Sequence, residues 1–343
     1  MTFVFRYATP IVTTLAVAGA FVVATADTTT AAAAAAASTT ITAEFEAQAG
    51  QTVGSQVAGQ AGRGRGAGRG RGPQGPPSAG GGQCSANPLN CPDAANPLPA
   101  PDTVFLEEMT WMDVRDAMRA GKTTLIITTG GIEPNGPWLA LGKHNYVLRA
   151  NCEAIARRLG DAICAPNVPF VPEGGIEPQS SHMTTVGTIS LREETFQALL
   201  TDIVHSMKMH GFEHIIMMGD SGGNQRGMGA VAEKFTAEWK GAPVVAHIPE
   251  YYDYNSVTAY LTELGVVTAE QESDGLHDDA AITMNMMVTD PQSVRWEARV
   301  KAGLATINGV SIADKDKALT IGRQIVEFRT TKTVEAIRKA RGK

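Results

Sequence analysis

Four side chains are of the types that divalent cations take as ligands: Glu133, His144, Asp220 and His277. Carboxylate oxygens and neutral imidazoles suit hard and borderline ions, and three such ligands with an open position can activate a water against a carbonyl. The expected ligands are Glu133, His144 and Asp220, with His277 as proton shuttle or fourth ligand. A second chemistry competes at the same place. The run Gly219-Asp220-Ser221-Gly222-Gly223-Asn224 satisfies the Gly-x-Ser-x-Gly pattern of a nucleophile turn, so Ser221 is a candidate nucleophile, with His277 and either Asp253 or Asp278 as partners. The same string occurs in trypsin-like proteases, but the order of elements below excludes their β-barrel. Asp220 also has a structural alternative, because an acidic residue after a strand often caps the next helix.

These residues need elements to carry them. Leu125–Thr129, Asp161–Pro166, His214–Met218 and Val244–Ile248 read as buried strands. Tyr146–Leu159, Glu193–His210 and Asn224–Lys240 read as helices, a further helix follows Asp279, and Asp314–Arg341 holds one or two more. Strands alternating with helices of this length imply an α/β fold, with a mostly parallel sheet covered by helices on both faces. In such a sheet the loops after strand ends converge on one edge. The loops 130–144, 171–191, 219–224 and 275–279 therefore share that edge.

The ends of the chain read differently. Arg6 is the only charge before Asp27, and the apolar Tyr7–Ala26 stretch closes on Ala24-Thr25-Ala26, so residues 1–26 are expected to be a secretory signal, with an uncleaved membrane anchor as the alternative. Export to the periplasm or outside the cell follows. Residues 27–101, rich in Ala and Thr and then in Gly, Arg and Pro, cannot bury enough apolar surface to fold and are expected to be a disordered tether. Its Arg63, Arg65, Arg69 and Arg71 offer an electrostatic contact to anionic envelope polymers. Residues 102–343 form one domain. The whole chain of 343 residues carries a formal charge of −6, and the domain without those arginines is more acidic, so no nucleic-acid partner is expected for it. Of the four cysteines, Cys84 and Cys91 flank a short Pro/Asn loop where a local disulfide is plausible; Cys152 falls in a helix and Cys164 near a strand, and three full pairings remain open.

In order, the chain carries Gly131-x-Glu133-x-x-Gly136-Pro137-x-Leu139, a downstream His182, Gly187-Thr-Ile-Ser-Leu191, a helix ending His210-Gly-Phe212, and a strand followed by Gly219-x-x-Gly-Gly-Asn224. This order resembles the creatininase (creatinine amidohydrolase) family over roughly residues 125–295, including Asp290-Pro-Gln-Ser-Val294. The resemblance implies a three-layer α/β fold, an oligomer, and a divalent metal pair that hydrolyses C–N bonds of small cyclic or formyl amides. It also marks departures. A ligand His of the family falls on Asn135 and a second His on Trp138; the bridging Asp falls on His144, and another ligand His on Ser221. Glu133 stands at its own position and His277 matches the late His. Asn135, Trp138, His182 and Asn224 are then expected to line the substrate pocket, with Trp138 stacking on a planar substrate.

The resulting expectation is an exported, homo-oligomeric hydrolase acting on an amide or lactam of a small molecule through a remodelled site. Its cofactor is divalent Zn, Mn or Fe, as one ion rather than two, or none. The alternatives are a creatininase-fold binding protein without catalysis and a serine hydrolase using Ser221.

Overall fold

The computed structural model describes residues 93–268 and 277–342. The signal segment, the tether as far as residue 92, the Cys84/Cys91 pair, the four tether arginines and the start of the 275–279 loop lie outside the described residues. Residues 93–101 form no helix or strand and are tied to the helix that follows, through Asn96 Nδ2 to Asp113 Oδ1 at 2.7 Å and Arg115 to the Ala94 carbonyl at 2.8 Å.

In chain order the elements are α1 (Trp111–Arg119), β1 (Thr124–Thr129), α2 (Lys143–Leu159), β2 (Ala162–Cys164), α3 (Glu193–Met209), β3 (His214–Gly219), α4 (Gln225–Trp239), β4 (Val244–His247), α5 (Tyr254–Glu263), α6 (Ala280–Thr289), α7 (Trp296–Lys301), the pair β5 (Thr306–Ile307) and β6 (Val310–Ser311), and α8 (Lys315–Ala340). Short 3₁₀ turns connect several of them. Among the described residues the central sheet has four parallel strands in the order β2-β1-β3-β4, and β5 and β6 form a separate antiparallel pair. All six residues of β1 are buried, as an inner parallel strand covered on both faces requires.

Alternation along the strands sorts the core into layers. Leu125, Ile127, Ile215 and Met217 face Phe196 and Leu200 of α3 and Met228 and Phe235 of α4. Ile126, Ile216 and Met218 face the other way, against Leu148 and Ile155 of α2 and Val334 and Ile337 of α8. Outside that layer, Met284 and Met287 of α6 pack with Val257 and Leu261 of α5 and Ile321 and Ile325 of α8. The expected three-layer arrangement is therefore present, with a further helical cluster on one side.

Cys152 of α2 and Cys164 of β2 form a disulfide across a sequence separation of 12. It ties a helix to an edge strand, and closing a loop of that size is worth roughly 3 kcal/mol in a chain-entropy account. Replacing both cysteines by alanine is expected to lower stability by about that much, read as the urea midpoint shift at constant m-value. A loss under about 1 kcal/mol would assign the bond no stabilising role.

The strand order fixes where a site can form. From β1 the chain crosses to β2 on one side, and then returns past β1 to β3 on the other. The carboxyl ends of β1 and β3 thus flank a crevice at a topological switch point, the usual ligand position in open α/β sheets. Glu133 follows β1 and Asp220 follows β3. Because α2 begins at Lys143, three residues before the expected Tyr146, Lys143 and His144 stand on its first turn instead of in the loop.

Candidate active site

A cavity of about 350 Å³ opens at this crevice, lined by Glu133, Lys143, His144, Glu173, His182, Ser221 and His277 among others. That volume lies at the small end of the range for small-molecule sites. Two glycines let its loops close up. A Cβ on Gly131 would run into Glu173 Oε1, and one on Gly223 into the Pro172 carbonyl oxygen.

Glu133 is the hub. Its Oε1 lies 2.8 Å from Lys143 Nζ and 2.9 Å from His144 Nε2, and its Oε2 lies 2.8 Å from His182 Nδ1. Burial alone would raise the Glu133 pKa; the hydrogen bond and charge of His144, with Lys143, outweigh it and hold the carboxyl well below the usual carboxylate range. His144 continues the chain of contacts, with Nδ1 2.8 Å from Asp220 Oδ2. Burial works against its charged form, but the bonds to Asp220 and Glu133 prevail and raise its pKa.

Asp220 is fully buried and fully engaged. Its Oδ1 accepts from Arg329 at 2.8 Å and from the Tyr254 hydroxyl at 2.8 Å. Arg329 comes from the apolar stripe of α8 and also donates to the Tyr251 carbonyl at 2.9 Å. Burial pushes the Asp220 pKa up, and the Arg329 charge together with His144 brings it below its ordinary value.

On the far side of Glu133 sits a second carboxyl. Glu173 Oε2 lies 3.2 Å from His182 Nδ1, while its buried Oε1 has no hydrogen-bond partner. Burial, reinforced by the Glu133 charge, pushes the Glu173 pKa up to about 9. His277 Nδ1 donates to the Pro134 carbonyl at 2.8 Å, which leaves the lone pair of the neutral ring on Nε2. Donor atoms of Glu133, His182 and His277 all lie within 4.8 Å of one another. The carboxylate-plus-imidazole donors, the fixed His277 tautomer and the orphaned carboxyl oxygen all fit a divalent cation.

The structure thus brings the expected residues together but regroups them. Glu133 converges with His182 and His277; His144 and Asp220 stand behind it, both ring nitrogens of His144 and both oxygens of Asp220 already engaged. Asn135 is buried and organises its own loop, donating to the Glu133 and Ala140 carbonyls at 2.7 and 3.2 Å. Asn224 likewise ties the Thr129 and Gly130 carbonyls at 3.0 and 2.8 Å. Trp138 packs against the outer helical cluster, and the aromatic wall of the cavity is Tyr252 and Tyr254 instead.

Ser221 lines the cavity together with His277, but the partners proposed for it are engaged with other groups. His277 bonds to Pro134, Asp278 pairs with Arg299 at 3.1 Å, and Asp253 caps α5 through Ser256 N at 3.1 Å. Lys143, Glu173, Tyr254 and Arg329 were not expected in these roles. The one available signal was Arg329, a charge four residues after Ile325 on the buried stripe of α8.

Comparison with known proteins agrees with this picture. The profile of a family described as creatininase, creatinine amidohydrolase, matches residues 107–329. A creatinine amidohydrolase of Pseudomonas putida is 26% identical over 121 residues, a stretch covering 34% of this chain and 44% of that enzyme, so the chain spans less than half of the curated relative it matches. Among solved structures, a creatinine amidohydrolase (creatininase) superposes with TM-score 0.54 at 18% identity, covering 70% of this chain and 98% of that one. A mutant creatininase of the Zn–Zn type gives 0.54 at 19% identity, with the same coverage. Another mutant, complexed with creatine, gives 0.51 at 19% identity over 69% of this chain and 98% of that one.

Proposed function

This chain belongs to the creatininase family, and from that premise we propose that it is a metal-dependent hydrolase of a C–N bond in a small amide or lactam. The observation that carries the reading is the convergence of Glu133, His182 and His277 at the mouth of the cavity, within 4.8 Å of one another. A divalent ion of the Zn, Mn or Fe kind held by these three residues would supply polarisation of a carbonyl and activation of water near neutral pH.

The other roles follow from the chain's own side chains. Glu133 and the two imidazoles bind and orient. Glu173, whose proton burial and the Glu133 charge retain in the metal-free protein, stands where it could pass a proton to a leaving nitrogen and take one back from water. Tyr252 and Tyr254 form the wall against which a planar substrate would lie. Arg329, Asp220 and His144 fix Glu133 from behind.

Export is part of the same proposal. The Cys152–Cys164 bond supports it, because disulfides persist in oxidising compartments. A homo-oligomer is proposed too, supported by exposed Phe170, Ile176 and Val186 in the loop region that also supplies Glu173 and His182.

The test is metal content by mass spectrometry after Zn or Mn loading, followed by a screen of amides and lactams. The expected outcome is bound metal and chelator-sensitive turnover in the wild type, loss of both in His182→Ala and His277→Ala, and retention of both in Ser221→Ala. Chelator-resistant turnover lost in Ser221→Ala would replace the metal reading by the serine one. Tight ligand binding without turnover would favour a binding protein, a reading that the saturation of Glu133 by protein donors supports.

A further inference from the structure

We propose that Lys143 is a built-in cation of this site, its ammonium occupying one oxygen of Glu133 so that the cavity accepts a single divalent ion. The proposal rests on the metal reading above and specifies the site further.

Lys143 is among the largest fully buried side chains of the molecule and lines the cavity. A lysine is almost never buried to this degree without a partner for its charge. Here Nζ lies 2.8 Å from Glu133 Oε1, with both side chains 2% exposed. Its place in the fold makes that pairing necessary. Lys143 is the first residue of α2, where the positive end of the helix dipole disfavours a cation. Only a carboxylate facing it offsets both burial and dipole, and Glu133 does.

The pairing divides Glu133 into two faces. Oε1 is taken by Lys143 and His144, with His277 Nδ1 3.7 Å away, and Oε2 is met by His182, so one ion beside the carboxylate already uses both imidazoles. A second ion would need several further donors, and beyond the unpartnered Glu173 Oε1 the nearby carboxylate and imidazole donors are engaged. Asp220 gives both oxygens to Arg329, Tyr254 and His144. Asn135 commits its amide nitrogen to the carbonyls of its own loop, leaving only a neutral amide oxygen, a poorer Zn²⁺ ligand than the histidine the resemblance puts there. Ser221 stands where the family resemblance puts a ligand histidine.

Charge points the same way. The buried carboxylates are Glu133, Glu173 and Asp220, and the fixed buried cations beside them are Lys143 and Arg329. His144, with both ring nitrogens against carboxylate oxygens, adds a third cation, so three ionised carboxylates are just balanced. A single divalent ion then brings two net positive charges, whereas a second would bring four. Such an excess is strongly disfavoured at low dielectric. The ammonium therefore supplies fixed positive charge that an ion would otherwise bring.

The test strips the full-length protein of metal, titrates it with Zn²⁺ by calorimetry and counts bound ions by mass spectrometry. One ion per chain is expected. Lys143→Met removes the neighbouring like charge and is expected to bind that ion about tenfold more tightly or better, while Lys143→Arg stays near wild type. A merely structural lysine would give the opposite sign, since loosening the site weakens binding. Mn²⁺ paramagnetic resonance on the wild type needs no variant: an isolated-ion spectrum supports the proposal, and a spin-coupled pair overturns it. Two ions per wild-type chain, or unchanged or weaker affinity in folded Lys143→Met, also overturns it. If the wild type binds no ion at all, the metal reading itself fails, and this proposal with it.

Discussion

Glu133→Gln is expected to abolish metal binding and to reduce turnover by about 10³-fold or more, because the metal's share of transition-state stabilisation is several kcal/mol and each 1.4 kcal/mol is a factor of ten. The same change reports on the metal-free protein. It leaves the Lys143 ammonium, 2% exposed, without its carboxylate partner. Breaking a buried pair in this way costs about 3–5 kcal/mol when nothing replaces the lost charge. Here a replacement is at hand. Glu173 is held protonated by burial and by the Glu133 charge, and with that charge gone it ionises more readily. The single variant is therefore expected below that range, at about 2–3 kcal/mol, and Glu133→Gln/Glu173→Gln beyond the sum of the two single variants. Additive losses in urea melts would show that Glu173 does not compensate the Lys143 charge once Glu133 is neutralised.

A pH profile checks the same coupling with its sign fixed in advance. The Glu173 pKa rises on folding from its ordinary 4.5 to about 9. Its contribution to stability is therefore fully present below about 4.5 and is lost as pH climbs to about 9, because the unfolded chain releases a proton that the folded one keeps. Metal-free wild type should lose stability across that window relative to Glu173→Gln. Parallel pH curves for the two proteins would count against a protonated Glu173.

Sequence and structure agree best where burial on both faces dictates the residue types. β1 and β3 are built on the apolar runs 125–127 and 215–218 and lead into Gly-rich turns, and each was placed to within one residue. The convergence of the loops after them followed from parallel topology alone, so Glu133, His144, His182, Asp220 and His277 were all legible as neighbours. Their partners were not. His144 reads as a ligand until its two ring nitrogens are seen against two carboxylates. Asp220 reads as a ligand or a helix cap until Arg329, 109 residues away in sequence, is found on its oxygen. Lys143 was hidden by a helix start three residues earlier than its apolar spacing implied. Residue type and turn chemistry announce that a donor is present; only the tertiary pairing decides whether its lone pairs are free.

That pairing makes Arg329 the second position of large effect. Arg329→Met is expected to destabilise the protein by about 3–5 kcal/mol, because Asp220, fully buried, loses its only fixed cationic partner among the described residues. Tyr254 and His144 still bond to the carboxylate, but neither carries a permanent charge. Neutralising both partners, as in Arg329→Met/Asp220→Asn, is expected to recover at least about 2 kcal/mol of that loss, since Asn keeps an acceptor for the His144 Nδ1–H and leaves no unpaired charge. The stabilisation of Asp220 has a defined pH sense. The pKa is lowered on folding, so the stabilisation is present above the ordinary value of 3.8 and is lost as pH falls through the lower folded value. Arg329→Met should flatten that acid limb. Metal affinity separates a positioning role from mere bulk. Residues that orient a ligand from behind typically change affinity by about 10–100-fold, so Arg329→Met is expected to weaken Zn²⁺ binding by that factor while Glu133, His182 and His277 are all in place. A variant that loses stability but keeps wild-type Zn²⁺ affinity would confine Arg329 to the core and break the proposed line of support from α8 through Asp220 and His144 to Glu133.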